Sequence, residues 1–203
     1  MKKALIFITL TFIFLFSSVV SSSASSSVYT VIKGDSLWKI AAKHQVGLSE
    51  IKSANPQIIT PDLIYPGDKI TIPSYDKNVI AYEKEVVRLV NEIRRENGLN
   101  ELTYDWELSR VARFKSQDMK DNSYFSHNSP KYGTPFQMMK NFGINYRSAA
   151  ENIAKGYATP QDVVKGWMNS PGHRQNILNP KFTHIGVGYV PEGKYWTQMF
   201  IFK

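Results

Sequence analysis

The chain has 203 residues, with 25 Lys plus Arg against 17 Asp plus Glu, a formal net charge of +8 and no cysteine. That length can bury a sizeable core, and the absence of cysteine excludes both a disulfide framework and a thiol nucleophile. The basic balance suits an anionic polymer such as the cell wall, or an acidic membrane surface, while the lack of a stripe of interleaved basic and aromatic residues argues against nucleic acid.

Lys2 and Lys3 precede an apolar run over residues 4–16 and a serine-rich stretch over 17–27 in which Ala24 follows small residues. This is the layout of a secretory signal peptide over 1–24, with a mature protein beginning near Ser25. The alternative, a retained anchor, has only residues 4–20 to work with, just short of the roughly 20 apolar residues a spanning helix needs. No stable membrane span is expected after cleavage. Removing the leader leaves 23 basic against 17 acidic residues, or +6, and most of that excess lies in residues 79–203.

Residues 28–73 read as strand, helix, helix, strand. Val28 to Val31 is the first strand, and Gly34-Asp35-Ser36 turns into a helix from Leu37 that Asp35 or Ser36 can cap. Residues 48–54 form a second helix begun by Ser49, which stops before the breaker pair Asn55-Pro56. Pro66-Gly67-Asp68 turns into a closing strand over 69–73. His44, on the first helix, has no partner in sequence and is expected at the surface.

The block resembles a LysM module over its whole length, through Tyr29-Thr30-Val31, Lys33 to Ala41, Asn55-Pro56 and Ile64 to Pro73. The resemblance implies recognition of N-acetylglucosamine-containing glycans, peptidoglycan first and chitin second, in a shallow groove formed by Gly34, Asp35, Ser36, Leu37, Pro56, Ile58 and Ile59. Exposed backbone amides there would bond an acetamido group while the Leu and Ile side chains cover its methyl. For Ile58 and Ile59, core filling is an equal alternative to glycan contact.

A short linker over 74–78 leads to a mixed domain over 79–203. Tyr82, Val86, Leu89, Val90 and Ile93 recur at helical spacing up to Gly98. Asp105 can cap a helix carrying Leu108, Val111, Ala112 and Met119. Thr134-Pro135 and Thr159-Pro160 each place a cap and a first-turn proline before an apolar run. Residues 182–190 alternate, with Thr183, Ile185, Val187 and Tyr189 on one face, and turn through 191–193 into a second alternating run, which together make a hairpin. The methionines and aromatics are expected in the core rather than around a cofactor.

Three residues of this domain stand out chemically. His127 lies in a loop with no helical period. Glu151 interrupts the otherwise apolar strand-like 149–154, where a buried acid needs a partner. His173 follows Ser170-Pro171-Gly172, in which Ser170 reads as an N-cap and Pro171 as a first-turn residue. No His-Glu-x-x-His helix, Gly-x-Ser-x-Gly elbow or phosphate-cradling glycine loop occurs.

The segments Ser126 to Pro130, Glu151 to Ala154, Trp167 to Leu178, Phe182 to Tyr189 and Trp196-Thr197-Gln198 resemble, in order, the CAP or SCP superfamily in its compact, cysteine-free bacterial form. That resemblance implies an α-β-α sandwich, hence an α+β chain overall. Its cleft is lined in many members by two histidines and two glutamates that hold a divalent metal such as zinc. His127, Glu151 and His173 match three of these; the second glutamate is replaced by Ser170, three residues after Trp167, and Ala150 stands where a glycine usually precedes the Glu-Asn pair. Losing one anionic ligand weakens a metal site.

The leading expectation is a secreted, non-catalytic binding or scaffold protein. Its LysM module would tether it to peptidoglycan while the CAP cleft takes a wall component, lipid or protein. The alternative is a hydrolase in which Ser170 or a metal-bound water attacks, His173 or His127 acts as base and Glu151 orients a histidine. A freely diffusing signalling ligand is a third class, disfavoured by the wall anchor. The pairing of modules resembles secreted proteins of endospore-forming bacteria, which implies a cell-wall or spore-envelope setting.

Overall fold

The computed structural model describes residues 26–60 and 63–203, so the expected signal peptide lies outside the described residues. The N-terminal module is built from β1 (Ser26–Thr30), α1 (Leu37–His44), α2 (Leu48–Ala54) and β2 (Lys69–Pro73). Its strands pair antiparallel from Ser26 opposite Pro73 to Thr30 opposite Lys69. Leu37, Ile40, Ile51, Ile70 and Ile72 fill the space between the helices and this two-stranded sheet.

The helix starts follow different rules. Ser36 caps α1, its hydroxyl accepting from the Lys39 amide at 3.2 Å. Ser49, expected to open α2, does not: the N-cap is Gly47, with no side-chain cap, and the Ser49 hydroxyl bonds Glu50 instead. A Cβ on Gly47 would stand 2.1 Å from Arg110 Nε and 2.2 Å from Glu50 Oε2, so a larger residue there would displace this ion pair between the modules. Asn55 does more than break a helix. Fully buried, it donates to the carbonyls of Ile51 and Thr71 at 2.7 Å and accepts from the Thr71 amide at 2.8 Å, joining the end of α2 to β2. His44 is half-buried rather than a surface residue, edge-on to Tyr29 at 5.4 Å, with its Nε2 buried and unpartnered among the described residues.

The larger unit begins inside the expected linker, because Asp76 caps α3 (Lys77–Glu96) by accepting from the Asn78 amide at 2.7 Å. It continues through β3 (Thr103–Tyr104), α4 (Trp106–Asp121), α5 (Pro135–Asn141), β4 (Ser148–Lys155), α6 (Pro160–Met168), α7 (Pro171–Ile177), β5 (His184–Val190) and β6 (Tyr195–Phe202). Asp105, Thr134 and Thr159 cap α4, α5 and α6 as their sequence contexts require. The sheet order is β3-β5-β6-β4, with β3 parallel to β5 and the other pairs antiparallel.

The sheet is the middle layer of a sandwich. Val86, Val90, Val163 and Trp167 from α3 and α6 pack against Ile185, Val187, Trp196 and Phe200 on one face. Leu108, Val111, Met138 and Met139 from α4 and α5 pack against Met199 and Ile201 on the other. The hairpin β5–β6 is therefore buried on both faces, not on one as its alternation suggested. On β5 the second face is Gly186 and Gly188, and the α4 backbone fills the room they leave. A Cβ would come within 2.4 Å of the Leu108 carbonyl carbon at Gly186 and 2.1 Å of the Arg113 amide nitrogen at Gly188. The methionines at 119, 138, 139 and 199 are fully buried core residues. No helix among the described residues is long and apolar enough to cross a membrane.

Candidate functional site

His127 lies in the loop after α4, and α4 itself fixes that loop. Lys115, on the stripe defined by Val111, Ala112 and Met119, is buried and donates to the His127 carbonyl at 2.8 Å and to the Tyr124 hydroxyl at 3.0 Å. Asp118 accepts from the hydroxyls of Tyr124 and Ser129, the latter at 2.7 Å, so the loop's turn is anchored one helical turn further on. Desolvation lowers the Lys115 pKa, an effect that the nearby carboxylates of Glu151 and Asp118 partly offset.

Glu151 reaches this loop from the middle of β4. Its Oε1 is 2.7 Å from His127 Nδ1, while Oε2 is buried without a partner among the described residues. Burial raises the Glu151 pKa; the bond to His127 and the charge of Lys115 act the other way without cancelling it. The Glu151 side chain is 2% exposed and that of His127 is 52% exposed. A protein interior thus orients a solvent-facing imidazole: one that donates through Nδ1 keeps Nε2 available.

The next residue of β4 holds the second histidine. Asn152 donates to the His173 carbonyl at 3.2 Å and to Gln198 Oε1 at 3.0 Å, and accepts from Asn176 at 2.8 Å. These bonds strap α7 to β4 and β6 and place His173 in the first turn of α7. Burial lowers the His173 pKa, and the charge of His127 lowers it further. Ser170 occupies the N-cap position of α7 but its side chain makes no cap bond. No hydrogen bond among the described residues joins it to His127 or His173.

The structure therefore gathers His127, Glu151 and His173 around one polar strap and leaves Ser170 without an activating base. Among the described residues no group of three or more His, Asp or Glu side chains is arranged to hold a metal ion. Glu151 Oε1 bonds the His127 imidazole itself, so in this geometry the carboxylate supports His127 rather than joining it and His173 as a third ligand. Sequence reasoning missed Lys115, Asp118, Tyr124 and Gln198. Lys115 had a signal, a cation at a core position of the α4 apolar stripe, and Gln198 stands in the Trp196-Thr197-Gln198 motif; Asp118 and Tyr124 had none.

In the N-terminal module, Gly34 adopts φ +92° with open space around its Cα. The Asp35 carboxylate accepts from the Ile32 amide at 3.0 Å and the Tyr29 hydroxyl at 2.8 Å, which hold it below the usual carboxylate range. Ser36 is occupied as a cap, Pro56 is exposed and Ile58 packs partly on the core. Ile59 is 93% exposed. Leu37 corrects the expectation: at 2% exposed its side chain fills the core and cannot cover a ligand methyl.

The family model described as "Cysteine-rich secretory protein family" matches residues 87–202, and the LysM domain model matches residues 29–73. The chain is 62% identical over 133 residues to the uncharacterized protein YkwD of Bacillus subtilis, covering 66% of this chain and 52% of that one. Its N-terminal part is 55% identical over 47 residues to SpoIVD-associated factor A of the same organism, 23% of this chain and 12% of that protein. A solved extracellular SCP-domain protein from Bacillus anthracis matches with TM-score 0.60 and 35% identity, over 68% of this chain and 47% of that one. The chain spans about half the length of the curated relatives it matches over most of its own.

Proposed function

Because this chain belongs to the cysteine-rich secretory protein family and carries a LysM module ahead of that domain, we propose that it is an exported peptidoglycan-binding protein. The LysM loops hold the glycan, and the CAP unit serves as a non-catalytic binding or scaffold element of the cell wall or spore envelope. The observation that carries the tether is Ile59. A 93% exposed isoleucine in the loop after α2 gains little by staying in water, and covering it against an acetamido methyl recovers about 1.5–3 kcal/mol. Gly34, with its amide in an open loop, supplies the neighbouring polar contact.

In the CAP unit Lys115, Asp118, Asn152 and Asn176 are engaged in holding α7, β4 and the 124–129 loop together, and Ser170 has no base. This favours recognition over bond cleavage. The N-terminal module alone is 51% identical over 47 residues to the Spore coat assembly protein ExsA of Bacillus cereus, which supports a spore-envelope setting. One observation favours a second reading. A buried carboxylate bonded to an exposed imidazole is a general-base arrangement, and a hydrolase using His127 with Glu151 as its positioning residue would need nothing more than a bound water.

Co-sedimentation of the full chain with purified peptidoglycan separates these readings. Wild type is expected in the pellet. Ile59→Asp is expected to lose binding by about tenfold, equivalent to 1.4 kcal/mol, while His127→Ala and Glu151→Ala pellet like wild type. Wild type left in the supernatant would reject the tether. Release of wall fragments by wild type but not by Glu151→Ala would replace the scaffold reading with the hydrolase one.

A further inference from the structure

A second feature of the CAP unit shares no residue with the His127 cleft. A cavity of about 440 Å³ lies at the start of α3, lined by Asp76, Asn78, Tyr82, Ala158, Tyr189 and Pro191 among others. Its wall is a terrace of near-parallel rings. Tyr189 lies on Trp196 with centroids 3.8 Å apart and planes 20° from parallel. Tyr82 extends the terrace, 5.8 Å from Tyr189 and 6.4 Å from Trp196, with interplanar angles of 19° and 5°. The inner ring is fixed, because Trp196 is fully buried and its indole donates to the Tyr157 carbonyl at 2.9 Å. The outer ring is not covered: Tyr82 is 37% exposed.

The polar groups around these rings have bonding capacity to spare. Among the described residues, the hydroxyls of Tyr82 and Tyr189 and the side-chain amide of Asn78 have no hydrogen-bond partner. Asp76 uses one carboxylate oxygen to cap α3 and leaves the other open. No lysine or arginine lines the cavity. An anionic ligand would meet the Asp76 carboxylate with no counter-charge. A lipid chain would leave two phenols, an amide and a carboxylate oxygen without partners, each a desolvation cost. A neutral sugar ring meets both demands, with its C–H face on the aromatic terrace and its hydroxyls on the carboxylate, amide and phenols. The volume falls within the range of pre-formed small-ligand sites.

We propose that the Tyr82 terrace is a saccharide-binding site of the CAP unit that takes a neutral pyranose of the glycan held by the LysM loops. This rests on the proposed function for the identity of the glycan. Asp76 and Asn78 sit at the junction of the two modules, so a strand bound at both sites is held bivalently, and the second contact is made at high effective concentration.

The test is a ¹⁵N amide titration of the full chain with the neutral tetramer of β-1,4-linked N-acetylglucosamine. Two sets of shifts are expected, one at residues 34–36 and 57–59 and one at residues 76–82, 158 and 189. Tyr82→Ala is expected to erase the second set and keep the first, and Tyr82→Phe to keep both with the second site weakened no more than about tenfold. Should Tyr82→Ala disturb the fold, Ala158→Trp, which fills the cavity from its exposed lip, is expected to give the same selective loss. Shifts confined to the LysM loops overturn the terrace site and leave the proposed function standing. Shifts confined to 76–82, 158 and 189 contradict the LysM tether and leave the terrace standing, and no shifts at all overturn both. A second set that survives in both Tyr82→Ala and Ala158→Trp also overturns the terrace.

Discussion

Glu151 is buried in a strand and raised in pKa by that burial, yet bonded through one oxygen to a half-exposed imidazole. The folded state holds this proton more tightly than the unfolded chain does. Its contribution to stability is therefore complete below the ordinary value of 4.5 and is lost as pH rises through the raised folded value. Relative to wild type, Glu151→Gln is expected to gain in melting temperature as pH increases from 4.5; parallel melting curves across that range would show that the carboxyl titrates normally. Removing the partner has the opposite consequence. His127→Ala leaves a buried carboxyl with no hydrogen bond and is expected to cost about 1–3 kcal/mol in urea denaturation at neutral pH. That Glu151 would need a partner is legible in its apolar surroundings. That His127 and His173 share its cleft came only from the family resemblance, and that the partner is His127, 24 residues away, only from the structure. Leu37 shows the converse: its place in the motif suggests a ligand contact, and only the packing reveals a core residue.

Among the elements, the capped helices α4, α5 and α6 were the most readable, because an N-cap, joined in α5 and α6 by a first-turn proline, acts within four residues. The helix α2 was misread at Ser49 because the helix starts without a side-chain cap and the Ser49 hydroxyl serves Glu50 and Arg110 of the other module, a contact no local pattern contains. The two-residue strand β3 is too short to carry a period. The hairpin hid its second buried face, since Gly186 and Gly188 read as weak strand residues while serving the close approach of α4. Gly188→Ala would drive a methyl into the α4 backbone, with contacts of 2.1 Å to the Arg113 amide nitrogen and 2.2 Å to the Ala112 carbonyl carbon. Backbone cannot yield as a side-chain tip can, so a loss of about 3 kcal/mol or more, or failure to fold, is expected by thermal unfolding. A change under about 0.5 kcal/mol would mean that α4 and β5 are not so closely packed.

At the scale of the molecule, the two modules are joined by more than a linker. Arg110 on α4 bonds Glu50 on α2 at 2.5 and 2.7 Å and Ser49 at 2.7 Å. Tyr75, between the modules, donates to Glu50 at 3.4 Å and carries the Arg113 guanidinium 4.3 Å above its ring. Arg113 in turn bonds the buried Glu83 at 2.8 Å. Burial alone would raise the Glu50 pKa, but the bonds from Arg110 and Ser49 outweigh it and hold the carboxyl below its usual range. Such a chain sets the LysM groove in one orientation toward the CAP unit. Arg110→Ala is expected to speed proteolytic cleavage at 74–76 by about tenfold, as 1.4 kcal/mol of lost docking would; an unchanged rate would mean that the modules are already independent. The order of the modules was legible from motifs spread along the chain. Their contact was not, because Glu50 and Arg110 lie 60 residues apart in segments that each look like ordinary surface helix.

The most direct measurement is the fraction of full chain that pellets with purified peptidoglycan as a soluble N-acetylglucosamine oligomer is added. Displacement by the oligomer, together with weaker retention of Ile59→Asp at every concentration, is the expected result. Retention that ignores the oligomer and falls only with added salt would contradict glycan recognition and assign the binding to the chain's net positive charge.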